Sequence, residues 1–223
     1  MKKNIYSKID KKLITDMPQV LFPGKIVVIS TVPEADRAVE ILMRSDLLGL
    51  DTETKPVFKR GHTNKVGLLQ VSTRELCFLF RLNIIGIPDS VATLLENKDI
   101  PLIGLSLHDD VLALRKRREF TPGNFVDLQK IVGKIGIEDL SLQKLYANLF
   151  HQKISKRQRL TNWEAKELTE KQQGYAATDA WACIMLYEEI NRLNDTQDYN
   201  LIPSPKPKEE EVKEEVLAEE IKQ

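Results

Sequence analysis

Leu47-Leu-Gly-Leu-Asp51, with Thr52-Glu53-Thr54 directly behind it, is an apolar run that ends on two acids spaced two apart. Apolar throughout, it predicts a strand buried on both faces, the kind found in sheets covered by helices on either side. The alternation of a strand sends Asp51 and Glu53 out on one face at its C-terminal edge. Outward from there, Lys25-Ile-Val-Val-Ile-Ser30 is a short β-branched run. Thr31-Val-Pro-Glu34 after it starts a helix, with Pro33 and an acid in the first turn. Val66 to Ser72 and Leu76 to Phe80 read as two further strands joined by a turn at residues 73–75. Residues 88–95 read as a helix, Pro101 to Leu105 as another buried strand, and residues 109–118 as a helix with Val111, Leu112 and Leu114 at helical spacing. Strands alternating with helices predict an α/β domain. Helices follow over 141–150 and from about 170 to 193, the second carrying Ala176, Ala180, Cys183, Ile184, Tyr187 and Ile190 as one stripe to pack on the sheet.

The 223 residues, 42% hydrophobic and 30% charged, suit one soluble domain and exclude collagen-like, mostly disordered and membrane-spanning chains. The formal charge of zero argues against a basic field over the whole molecule. It is an average over two parts, since residues 206–223 hold seven Glu and four Lys, or −3, which leaves +3 on the rest. The expected organisation is an N-terminal arm over 1–21, a domain over 22–195 and a disordered Pro/Glu-rich tail over 196–223. Val212, Val216, Leu217 and Ile221 form a faint apolar stripe in that tail, through which it would dock on a protein partner. Asp10, Lys11, Lys12, Asp16 and Pro18 interrupt any signal peptide, and no apolar run is long enough for a membrane span, so a cytoplasmic location is expected. Cys77 and Cys183 sit in apolar company and read as core residues, and His62, His108 and His151 lack metal-ligand spacing.

Asp51 and Glu53 side by side repel each other, and a divalent cation with hard oxygen ligands relieves that repulsion. Further acids occur in Leu102-Ile-Gly-Leu-Ser-Leu-His-Asp-Asp110, a strand entering a helix, where Asp109 and Asp110 also suit the positive helix end. Tyr175-Ala-Ala-Thr-Asp179 places a phenol and a carboxylate on one face of the long helix. Lys153, Lys156, Arg157 and Arg159 form a basic loop before Trp163, positioned for phosphates or simply solvated. Trp163 either stacks on a base or, as is commoner, packs under that loop. Arg115-Lys-Arg-Arg118 follows a helix and complements its negative end.

In their order along the chain these segments resemble the 3′→5′ exonucleases named DEDD after four acids, in the subgroup with Tyr in the third motif. Asp51-Thr-Glu-Thr54 resembles the first motif and Tyr175-Ala-Ala-Thr-Asp-Ala180 the third. Lys65 to Ser72, Leu94 to Lys98, Gly104 to Asp110, Asn124 to Asp127 and Thr161-Asn-Trp163 look like Werner-type exonuclease domains. The likeness runs over roughly residues 22–193 and makes Asp110 the second-motif acid, with Asp109 as the neighbouring alternative. It implies a ribonuclease H-like (DnaQ-like) three-layer α/β fold, with a mixed sheet of five to six strands flanked by helices. It also implies hydrolysis of phosphodiesters from the 3′ end of DNA or RNA with two ions, Mg2+ or Mn2+, held by Asp51, Glu53, Asp110 and Asp179. In that scheme Asp51 bridges both ions, and Tyr175 orients or helps deprotonate the attacking water. The backbone around Thr54 faces the terminal nucleotide. The competing expectations are a ribonuclease D-like RNA-processing enzyme using the same five residues, and a non-catalytic nucleic-acid-binding adaptor. Ribonuclease D carries further helical domains that the residues after Leu193 are too few to supply, which favours the Werner-like reading, with DNA as substrate.

Overall fold

The computed structural model describes residues 2–57, 61 and 63–204, so His62 and the expected tail beyond residue 204 lie outside the described residues. In chain order the first elements are β1 (Lys3–Tyr6), α1 (Lys11–Thr15), β2 (Lys25–Ile29), α2 (Val32–Leu42), β3 (Leu48–Thr54), β4 (Val66–Ser72) and β5 (Leu76–Phe80). They are followed by α3 (Leu82–Ile85), α4 (Asp89–Glu96), β6 (Leu102–Gly104), α5 (Leu107–Arg115), β7 (Phe125–Asp127) and α6 (Leu128–Ile131), which runs into a 3-10 turn over Val132–Ile135. The last are α7 (Leu142–Phe150), α8 (Glu170–Thr196) and β8 (Tyr199–Ile202).

Six strands form one mixed sheet in the order β2-β5-β4-β3-β6-β7, antiparallel at β5-β4-β3 and parallel elsewhere. Side-chain alternation divides the interior into two apolar layers. Leu48, Leu50, Leu69 and Val71 pack with α2 and α4 on one face. Leu68, Cys77 and Leu79 pack with α7 and α8 on the other, which gives the expected three layers. The helix starts follow their sequence signals: Thr31 with Glu34, and Thr169 with Gln172, each form a reciprocal capping box.

Several boundaries depart from expectation. The arm before residue 22 is folded onto the domain, with Ile5, Ile9, Ile14 and Val20 buried. Strand β8 stands where the tail was to begin, because its backbone pairs in parallel with β1 from Lys3↔Tyr199 to Tyr6↔Ile202. Four residues with little apolar patterning carry no local signal for such a pairing. Helix α5 begins at Leu107 rather than Asp109, after a left-handed turn at Ser106. The basic run after it is taken up by the fold: Arg115 pairs with Glu119, Arg117 donates to the Val66 carbonyl, and Arg118 pairs with Asp89 at 2.7 Å.

Candidate active site

The site forms where the C-terminal end of β3 meets α8. On the α8 face of β3, Gly49 precedes Asp51 and Glu53, and a Cβ at Gly49 would stand 2.0 Å from the Ala180 carbonyl oxygen. Only glycine permits that approach, and it draws Asp179, next in the chain to Ala180, down to Asp51. Beyond Asp51 the β3–β4 register shifts from Glu53↔Leu68 to Thr54↔Val66, leaving Gly67 as an extra residue. Such a bulge re-aims the strand end, here at the bend that carries Glu53 and Thr54.

Asp51, Glu53 and Asp179 each offer a carboxylate oxygen, all within 4.8 Å of one another. Asp110 stands beside this group, its carboxylate accepting from the Thr52 hydroxyl, whereas Asp109 is exposed. Tyr175, one turn before Asp179, is 8% exposed, and the fully buried Trp163 ring lies 6.0 Å behind it at 34°. Trp163 therefore packs under the loop and braces the tyrosine.

The four basic loop residues go different ways. Lys156 and Arg159 line a cleft of about 320 Å³ together with Asp51, Tyr175 and Asp179. Arg157 lines a neighbouring cavity that shares only Tyr175, Ile154 and Ser155 with that cleft. Lys153 is not brought to the acids: its ammonium donates to the Thr15 carbonyl and its backbone forms a bridge with Gln19. The polar atoms of the N-terminal arm, whose placement was not foreseen, are what capture it.

Electrostatically the acids are under strain. Burial, then the charges of Asp179 and Asp110, push Asp51 well above the usual carboxylate range. Burial, then the charge of Asp51, raises Glu53 to about 10. Burial raises Asp179 to about 7, against the lowering influence of the Tyr175 hydroxyl and Lys156. Burial raises Asp110 as well, partly offset by Thr52. The Tyr175 phenol is raised first by burial and then by the Asp179 and Glu53 charges, so it stays protonated and acts as a hydrogen-bond donor. One buried oxygen of Asp179, Oδ1, has no hydrogen-bond partner. An orphaned carboxylate oxygen within a group of oxygen donors fits a divalent cation, which satisfies it and cancels the repulsion together.

Three contributors escaped the sequence reading. Thr52 was given no role, yet its hydroxyl donates to the Asp110 carboxylate from β3, on the face whose Leu48 and Leu50 share an apolar layer with Leu107 and Leu114 of α5. Cys183, read as core, does pack there but also lines the cleft, its thiol donating to the Asp179 carbonyl at 3.3 Å. The third is Asp127, whose carboxylate caps the turn that leads into α5.

A ribonuclease H-like α/β sheet that gathers acids at the end of a central strand defines a metal-dependent nuclease. A profile described as 3′-5′ exonuclease matches residues 26–194. The chain belongs to the 3′-5′ exonuclease family. It is 31% identical over 199 residues to the bifunctional 3′-5′ exonuclease/ATP-dependent helicase WRN of Mus musculus, covering 84% of this chain but 14% of that protein. It is 28% identical over 197 residues to ribonuclease D of Desulfotalea psychrophila, covering 78% of this chain and 51% of that one. Among solved structures, the EXO domain of Aedes aegypti Nibbler superposes with a TM-score of 0.72 at 18% identity, over 81% of this chain and 95% of that one, a likeness of fold. Among the described residues no helix is long and apolar enough to cross a membrane.

Proposed function

We propose that this chain releases nucleotides one at a time from the 3′ end of nucleic acid, DNA in preference to RNA, using two divalent ions, Mg2+ or Mn2+. The observation that carries this reading is the convergence of Asp51, Glu53 and Asp179 to within 4.8 Å, with Asp110 bound to the residue between the first two. Two ions held there would supply an activated water and stabilise the charge growing on the leaving 3′-oxygen. Asp51, within reach of both Glu53 and Asp179, would be shared between the two positions. Glu53 and Asp179 would help to hold the ion nearer the attacking water, and Asp110 the other. Tyr175 donates a hydrogen bond that orients the water, held in place by Trp163 behind it. The backbone of Thr54, at the bulged strand end, meets the terminal nucleotide. Lys156 and Arg159 at the cleft meet phosphates, and Arg157 contacts the strand further out.

The match to the WRN exonuclease over most of this chain supports DNA, and the ribonuclease D match supports RNA ends as the second reading. Purified protein is incubated with 5′-labelled DNA and RNA of matched sequence in Mg2+, Mn2+ or EDTA, beside Asp51→Ala and Tyr175→Phe. A ladder shortening from the 3′ end, faster on DNA and lost in EDTA and in Asp51→Ala, is expected. Internal cleavage, or turnover that survives EDTA, overturns the mechanism.

A further inference from the structure

Strand β7 ends on Asp127, and its carboxylate faces the entry to α5 rather than the metal group. One oxygen accepts from the Ser106 backbone N–H at 2.9 Å and the other from the Leu107 N–H at 3.1 Å. The first oxygen also accepts from the Gln129 N–H at 3.0 Å, which ties the same carboxylate to the start of α6. Ser106 holds φ 61° and ψ 37°, a left-handed backbone that an L-residue other than Asn or Asp seldom adopts. Asp110 lies in the first turn of the helix that this turn launches, and Thr52 grips its carboxylate from β3. Ser106 itself lines the cleft with Asp51 and Asp179.

We propose that Asp127 is a positioning residue for Asp110: by holding Ser106 in its left-handed turn it sets where α5 begins and thereby where Asp110 meets the metal group. The proposal rests on the exonuclease reading above, with Asp110 as a metal ligand. Without the Asp127 carboxylate, two N–H groups of the turn lose their acceptor, and Ser106 has no reason to remain at positive φ. The first turn of α5 then unwinds, and Asp110 swings away while Asp51, Glu53 and Asp179, on β3 and α8, stay in place.

The test uses the full chain as parent, Asp127→Ala, Asp127→Asn, Ser106→Gly, and Ser106→Gly combined with Asp127→Ala. In Asp127→Ala, kcat is expected to fall about 10–100-fold and the half-saturating Mn2+ concentration to rise about tenfold, with KM for the oligonucleotide nearly unchanged. Calorimetric titration with Mn2+ alone is expected to show the weaker binding step impaired to a similar degree and the tighter step retained. Glycine takes positive φ freely, so Ser106→Gly is expected to restore kcat in the alanine background at least about threefold. Asp127→Asn, which keeps one acceptor, falls between parent and alanine, and carries the same readings if the alanine variant does not fold. A loss of melting temperature with parental kcat and Mn2+ titration, or no recovery on adding Ser106→Gly, overturns the proposal. If the parent degrades no nucleic acid at all, the exonuclease reading fails, and the Mn2+ titration alone still decides the role of Asp127.

Discussion

Asp179→Asn exchanges a buried carboxylate for an amide of the same shape, and the metal-free protein is expected to become more stable for it. The carboxyl is raised by burial from an ordinary value of 3.8 to about 7. An acid whose folded value lies above its unfolded value contributes stability that is complete below the unfolded value and is lost as pH rises through the folded one. For Asp179 the loss therefore runs from about pH 4 to about pH 7, and above that it is constant. A shift of about three pH units is worth roughly 4 kcal/mol, so neutralising this one charge is expected to return about 2–4 kcal/mol at pH 8. For a chain of this size that is on the order of 5–15 °C in melting temperature. The assay is thermal unfolding followed by circular dichroism in EDTA at pH 8 and pH 4, repeated at pH 8 with saturating Mn2+. At pH 4 the two proteins should melt within about 1 kcal/mol of each other, because the parent is protonated there. With Mn2+ the parent should recover most of the difference and the variant little. A variant less stable than the parent at pH 8, or offset equally at both pH values, refutes the argument that burial holds the Asp179 carboxyl above its ordinary value.

Gly49→Val places a side chain where the Ala180 carbonyl stands 2.0 Å from a Cβ, so α8 must move; stability should drop by about 3 kcal/mol or more in urea titration and activity should be lost. Tyr175→Phe keeps the ring against Trp163 and removes the hydroxyl, so kcat should fall about 10–100-fold with the melting temperature within a few degrees of the parent. Arg159→Ala and Lys156→Ala should raise KM several-fold and flatten its salt dependence, read in steady-state kinetics across 50–200 mM salt. Lys153→Ala should leave KM alone and lower the melting temperature, because that side chain holds the N-terminal arm.

The Asp51–Glu53 pair is legible because an apolar strand fixes where its side chains emerge, and a polar end on such a strand has few explanations. The Tyr175–Asp179 pair is legible for the parallel reason in a helix. Their meeting is not legible, since it depends on Gly49 letting α8 approach, and a glycine in a strand looks the same whether it lies against a helix or open space. Motif spacing favours Asp110 over Asp109; the structure supplies the reason in the Thr52 hydroxyl, a contact between residues 58 apart in sequence that only the packing of α5 beside β3 brings about. The basic loop shows the limit from the other side. Four cations close in sequence look alike, and only the bridge between Gln19 and Lys153 separates the one that fastens the arm from the two that line the cleft.

The pairing of β1 with β8 joins residues almost two hundred positions apart. A ribosome delivers β1 well before β8, so Ile5, fully buried once folding is complete, waits through that interval without its cover. Contacts so remote along the chain are slow to form and leave unpaired strand edges exposed to other molecules in the meantime. The residues of β1 are thus made long before they are sheltered, a task for whatever escorts the growing chain.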